Sequence, residues 1–156
     1  MRRAQAIVET LVAVLVILFL FTGAHRISRM VAAKTVLDHA AARAARAKAV
    51  GFNDFMCEKT ALAAAIPVSG RRLWPLDSSV DEVSRVPIYL ASGDRGRANG
   101  VLEYERWHSA SVSAEAGSGA DPVASAKIEM EGEDFSLKGS AKIEAHHPFY
   151  MFDQGL

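Results

Sequence analysis

Glu9 stands alone. Only Arg2 and Arg3 carry charge before it, and the fifteen residues from Thr10 to Ala24 carry none. An ionised carboxylate buried at mid-bilayer costs about 2.5 to 3.5 kcal/mol on insertion scales, so a carboxylate at the edge of so apolar a run calls for a partner. Glu9 can snorkel to the interface beside Arg2 and Arg3. Alternatively, a cut between Ala4 and Gln5 would remove both arginines and create an amine on Gln5, one helical turn from Glu9. That amine, or the same amine on a neighbouring chain, would pair strongly with the carboxylate where the dielectric is low.

Other residues with chemical potential form no recognisable constellation. His146 and His147 are adjacent before Pro148, so an extended backbone sends them to opposite faces and they cannot easily share one metal. Nothing in the spacing brings His108 to His146. The acidic run Glu129, Glu131, Glu133 and Asp134 reads as a solvated strand face and turn, and its spacing is not that of a calcium loop. Cys57 is the sole cysteine. It has no histidine nearby in sequence and reads as a small buried hydrophobe, the alternative being an intermolecular disulfide. Gly93-Asp94-Arg95-Gly96 lacks the phosphate-loop pattern. The expectation is a non-enzymatic chain with no catalytic residue, cofactor or metal site.

The element that must position Glu9 is a long helix. From Gln5 to Ala24 the chain gives about 30 Å of helix, the thickness of a bilayer's hydrocarbon core. A cleaved secretory signal would need a small-residue site after this core, and Thr22, Gly23 and Ala24 imitate one poorly. The pattern also continues past Ala24 through Ile27, Met30, Ala33, Leu37, Ala40, Ala44 and Ala47, at the three-and-four spacing of one helical face. No proline interrupts the run, Gly23 is its only interior glycine, and Gly51 is a suitable stop. The reading is one helix from Gln5 to about Val50, about 70 Å long. Its alanine-rich far half is thin enough for close packing with neighbouring stems, with its own head domain, or with both. Lys34 and Asp38 stand at an i to i+4 spacing and are expected as a weak pair on a solvated face.

From Arg2 to about Val50 the chain resembles the TadE and TadG-like pseudopilins of tight-adherence (Flp, type IVc) pilus systems. The resemblance implies a short basic leader, Arg2 and Arg3, ending at Ala4. It implies that a prepilin peptidase cuts there to leave Gln5 as the mature N-terminus, and that Glu9, fifth in the mature chain, serves assembly with other pilin or pseudopilin subunits through the stem. Two positions depart from the family pattern: Ala4 stands where glycine is commoner, and Thr10 where an aromatic often follows the glutamate. The implied location is the bacterial cytoplasmic (inner) membrane, single-pass, with the N-terminus cytoplasmic, the head extracytoplasmic, and the subunit available for incorporation into a pilus. The head is too large for a short major subunit, and the absence of a long insertion argues against the larger TadG type, so a minor TadE-like subunit is the expectation. A type II secretion pseudopilin is the related alternative, although polar Gln5 is less typical there. A signal-anchored membrane protein with a structural or binding head would keep its leader intact, and a secreted head would lose the whole apolar segment.

Net charge is zero, but it is unevenly distributed. Residues 1–72 hold eleven Lys/Arg against four Asp/Glu, and residues 101–156 hold four against ten. A basic stem and an acidic head would guide subunit packing. The basic residues lie among alanines beside an apolar span, without an aromatic platform, so nucleic acid is not an expected partner. Arg26 and Arg29 follow the span while Arg2 and Arg3 precede it, so the positive-inside rule alone does not select the orientation given above.

The expected fold class is α+β: a leader over 1–4, a transmembrane and stem helix over 5–52, and a head over 53–156 containing a small antiparallel sheet. The head is long enough for one modest core. A second helix is expected from Phe55 to Ala65, capped by Asn53 or Asp54 and followed by Pro67. Residues 67–100 read as connection, with turns at Ser69-Gly70 and Asn99-Gly100, a short strand over Val86–Leu90, and Trp74 before Pro75 as an anchoring contact. Period-two alternation starts at Val101, with Leu102, Tyr104, Ala110 and Val112 on one side and Glu103, Glu105 and Ser109 on the other. After a loop over 117–122, strands are expected at Val123–Glu131 and Phe135–Ala145 around a turn at Gly132.

Overall fold

A computed structural model of the chain describes residues 2–77, 81–116, 123–131 and 136–144. The expected loop at 117–122, the turn at Gly132, Glu133, Asp134, Phe135, Ala145, His146 and His147 lie outside these described residues. The chain divides into two compact units, Met1–Ala32 and Ala33–Leu156. Helix α1, Arg2–Ala49, contributes residues to both and is unbroken at Ala24.

In the first unit the apolar side chains have no protein cover. Phe19 and Phe21 are 79% and 71% exposed, and the most apolar 18-residue window has a mean hydropathy of 2.5 with none of it buried. Helix α1 is thus long and apolar enough, over Gln5–Ala49, to be a single membrane span. The hydroxyls of Thr10 and Thr22 donate to the carbonyls of Ala6 and Leu18, each at 2.8 Å, so neither is left unpaired in an apolar setting.

In the second unit the last turns of α1 supply part of the core. Leu37, Ala40, Ala41, Ala44, Ala45 and Ala47 are buried, so the alanine face packs against its own head. Gly51, at φ +97°, ends the helix, and the Phe52 N–H reaches back to the Ala47 carbonyl at 3.1 Å. Helix α2, Asp54–Ala64, follows at the expected place, with Asn53 accepting from the Met56 N–H.

The sheet orders its strands β3 (Ser111–Glu115), β4 (Val123–Glu131) and β5 (Ser136–Glu144), all antiparallel. Alternation places Ala124, Ala126, Ile128 and Met130 of β4 in the core. An alanine built at Gly139 would put its Cβ 2.3 Å from the Leu37 carbonyl oxygen, so the missing side chain lets β5 lie directly on the α1 backbone. Asp38 strengthens this contact. Its Oδ1 accepts from Lys34 Nζ at 2.6 Å and from the Ser140 backbone N–H at 3.1 Å. The Lys34–Asp38 pair is therefore more than a solvated-face contact, because Asp38 also joins helix to strand.

Two expectations for the middle of the chain need correction. Residues Val86–Leu90 are not a strand; they belong to helix α3, Glu82–Ala91. Asp81 caps it by accepting from Val83 N–H, and Val86, Tyr89 and Leu90 turn inward at helical spacing, which outweighs the interior Pro87. A short helix α4, Arg95–Asn99, ends at Gly100. The alternation from Val101 is not one strand either. Glu103–Tyr104 (β2) pairs with Arg72–Trp74 (β1) as a separate ribbon, and a 3-10 turn over Glu105–Trp107 intervenes before β3. Trp107 causes the break. It is buried against Tyr89 and Tyr104, with ring centroids 5.1 and 4.9 Å away, and donates from Nε1 to Ser69 Oγ at 2.7 Å. The main aromatic anchor is thus Trp107, whereas Trp74 is half-exposed and donates to the Gly100 carbonyl at 2.8 Å.

Candidate functional site

Ala4, Gln5 and Glu9 all lie within α1. The Ala4–Gln5 peptide lies at the end of the first helical turn. One turn further on, Gln5 Nε2 donates to Glu9 Oε1 at 3.2 Å. Among the residues whose side chains are described, Gln5 is the hydrogen-bond partner of Glu9. An i to i+4 amide–carboxylate contact of this kind contributes only about 0.2 to 0.5 kcal/mol on a helix in water. The donor is neutral, so this contact itself brings Glu9 no positive charge.

Several polar groups of the second unit have local partners. His108 Nε2 lies 2.8 Å from Glu103 Oε1 on an exposed surface. Glu129 accepts from Ser136 Oγ at 2.9 Å and pairs with Lys138 across the β4–β5 ladder at 3.0 Å. Lys138 and Ser136 together hold its carboxyl below the usual value. Cys57 is fully buried in α2, and burial pushes its thiol pKa up, away from the thiolate that reactivity requires. Among the described residues no three His, Cys, Asp or Glu side chains gather as a metal site.

Lys59 is the polar residue that sequence reasoning passes over. It is 1% exposed, and its Nζ donates to the carbonyls of Tyr89, Leu90 and Ser92 at 3.2, 2.7 and 2.5 Å. It also lies 4.8 Å from the centre of the Phe55 ring. Desolvation lowers its pKa, while the carbonyls at the end of α3 favour the ammonium form. The available signal is its position on the apolar stripe Phe55, Lys59, Leu62 of α2. Lys59 borders a cavity of about 400 Å³ whose rim includes Glu58, Arg95, Glu103 and His108. Arg95 and Glu58 form an ion pair on that rim, so this charge is already matched within the head.

The arrangement at Gln5 and Glu9 can present a single carboxylate at the edge of an apolar helix, held by a neutral donor and open to a cationic one. No family model, curated protein or solved structure matches the chain.

Proposed function

We propose that this chain is a minor, TadE-like pilin subunit of a type IVc adhesion pilus, inserted in the bacterial cytoplasmic membrane with its N-terminus inside and its head outside. A prepilin peptidase cuts between Ala4 and Gln5, and the mature helix joins other pilin subunits side by side. Glu9 is the assembly residue: it pairs with the amine of its own Gln5 or with that of a neighbouring subunit. The observation that carries this reading is the lone carboxylate of Glu9 one turn after the Ala4–Gln5 bond, on a helix whose surrounding apolar side chains are uncovered. Uncovered apolar surface supports lateral packing in lipid or in a filament, and small alanine and glycine side chains assist such packing.

The test is the intact mass and N-terminal sequence of the mature chain in cells with an active pilus system, with and without the prepilin peptidase. The expected result is loss of residues 1–4 only when the peptidase is present, and no loss when Ala4 is replaced by arginine. A chain that keeps its leader in both strains would transfer support to a signal-anchored protein.

A further inference from the structure

A chain that starts with glutamine carries its own electrophile. The α-amine of such a residue can attack its side-chain amide and close a five-membered lactam. We propose that Gln5, as first residue of the processed chain, is a cyclisation site and that Glu9 guards it; this rests on the cut proposed above. In the reaction the Gln5 α-nitrogen bonds to Cδ and the Cδ–Nε2 bond breaks. Nε2 leaves as ammonia with a proton surrendered by the amine, and nothing is oxidised or reduced.

Glu9 opposes the closure in two ways. Its Oε1 holds Nε2, the leaving nitrogen, along the helix at 3.2 Å, and that hydrogen bond must break before Cδ can turn back to the α-nitrogen. The same carboxylate is the counter-ion of the protonated amine, which has no lone pair for attack. Cyclisation would remove the ammonium and Nε2 together, so both groups that serve Glu9 disappear in one step. The open form can assemble and the lactam cannot.

The experiment uses the chain released by a tag protease that leaves Gln5 first, placed in bilayer nanodiscs and treated with glutaminyl cyclase, while intact mass follows the loss of ammonia. Glu9→Leu is compared with the unmutated chain. The variant is expected to cyclise about twofold faster, the scale of an i to i+4 side-chain contact, or more where the charge adds its share. Equal rates would overturn the proposal, as would faster loss in the chain that keeps Glu9, since the carboxylate would then be acting as a base. Loss in neither chain would overturn it as well. Because the tag protease creates the Gln5 end, the result is independent of whether the prepilin peptidase does so in cells; an uncut chain there removes the assembly reading without altering this measurement.

Discussion

Replacing Gly139 by alanine tests the contact on which the head is built. The added Cβ would stand 2.3 Å from the Leu37 carbonyl oxygen, 2.4 Å from its carbon and 2.9 Å from the Asp38 nitrogen. Favourable contacts between carbon atoms lie at about 3.5 to 4.0 Å, so β5 and α1 must separate by about 1 Å. The obstacle is helix backbone, which has no rotamer to change. Overpacking costs about 1 to 3 kcal/mol. The same shift weakens the Ser140 N–H bond to Asp38, now at 3.1 Å, and hydrogen bonds to charged groups contribute about 1.5 to 3 kcal/mol. Alanine recovers about 0.5 to 1 kcal/mol through the lower entropy of the unfolded chain. The net expectation is a loss of about 2 to 4 kcal/mol. Urea titration of the full chain in mild detergent, followed by the fluorescence of buried Trp107, measures it. A loss below about 0.5 kcal/mol, the usual range for an unremarkable surface change, would refute the close approach. A second check is coupling: Asp38→Ala should destabilise the unmutated chain more than the alanine variant, where its bond to β5 is already weakened.

Lys59→Met should destabilise the head by about 3 kcal/mol in the same titration, because carbonyls at the end of α3 lose their donor without regaining water. Glu129 should impose an acid dependence. Lys138 and Ser136 depress its folded-state pKa below the ordinary 4.5, so its contribution is present above that value and lost as the pH falls through the lower folded value. Stability measured from pH 6 downward should therefore fall more steeply in the unmutated chain than in Glu129→Gln, with the difference confined to pH below about 4.5. Glu9→Gln should leave membrane level and head stability unchanged, since a neutral amide enters lipid more readily than a carboxylate. On the proposed assembly role it should reduce co-recovery of partner pilin or pseudopilin subunits, because breaking one side of a desolvated pair costs about 3 to 5 kcal/mol; unchanged recovery would make Glu9 a merely interfacial residue.

Much of the fold is legible in local pattern. The long apolar helix, the stop at Gly51, helix α2 with its Asn53 cap, and strands β4 and β5 each follow from periodicity and turn chemistry within a short window. The stretch from 67 to 110 is less legible because its conformation depends on distant partners. Val86–Leu90 reads as a β-prone run, yet Asp81 starts a helix five residues earlier and Tyr89 is drawn inward against Trp107. Leu102 and Tyr104 alternate as in a strand, but Trp107 must turn in to reach Ser69, thirty-eight residues away, and the strand breaks. Gly139 is similarly hidden, since its meaning lies in a helix about a hundred residues earlier in the chain.

The candidate site divides along the same line. Glu9 is visible in the sequence because a charge in an apolar run is anomalous under any fold, and its contact with Gln5 is local. Lys59 is invisible because a lysine ordinarily reads as solvated, and the carbonyls that hold it come from residues 89 to 92. The contrast carries a functional argument. Lys59, Asp38 and Glu129 all find their partners inside the second unit, so their charges are spent on holding it together. In the first unit the large apolar side chains from Ile7 to Phe21 are exposed, and Gln5 supplies Glu9 with a neutral hydrogen bond. Lipid can cover the apolar surface. Under the proposed assembly reading the amine of a processed N-terminus supplies Glu9 with a cation without adding another charged side chain to the apolar span.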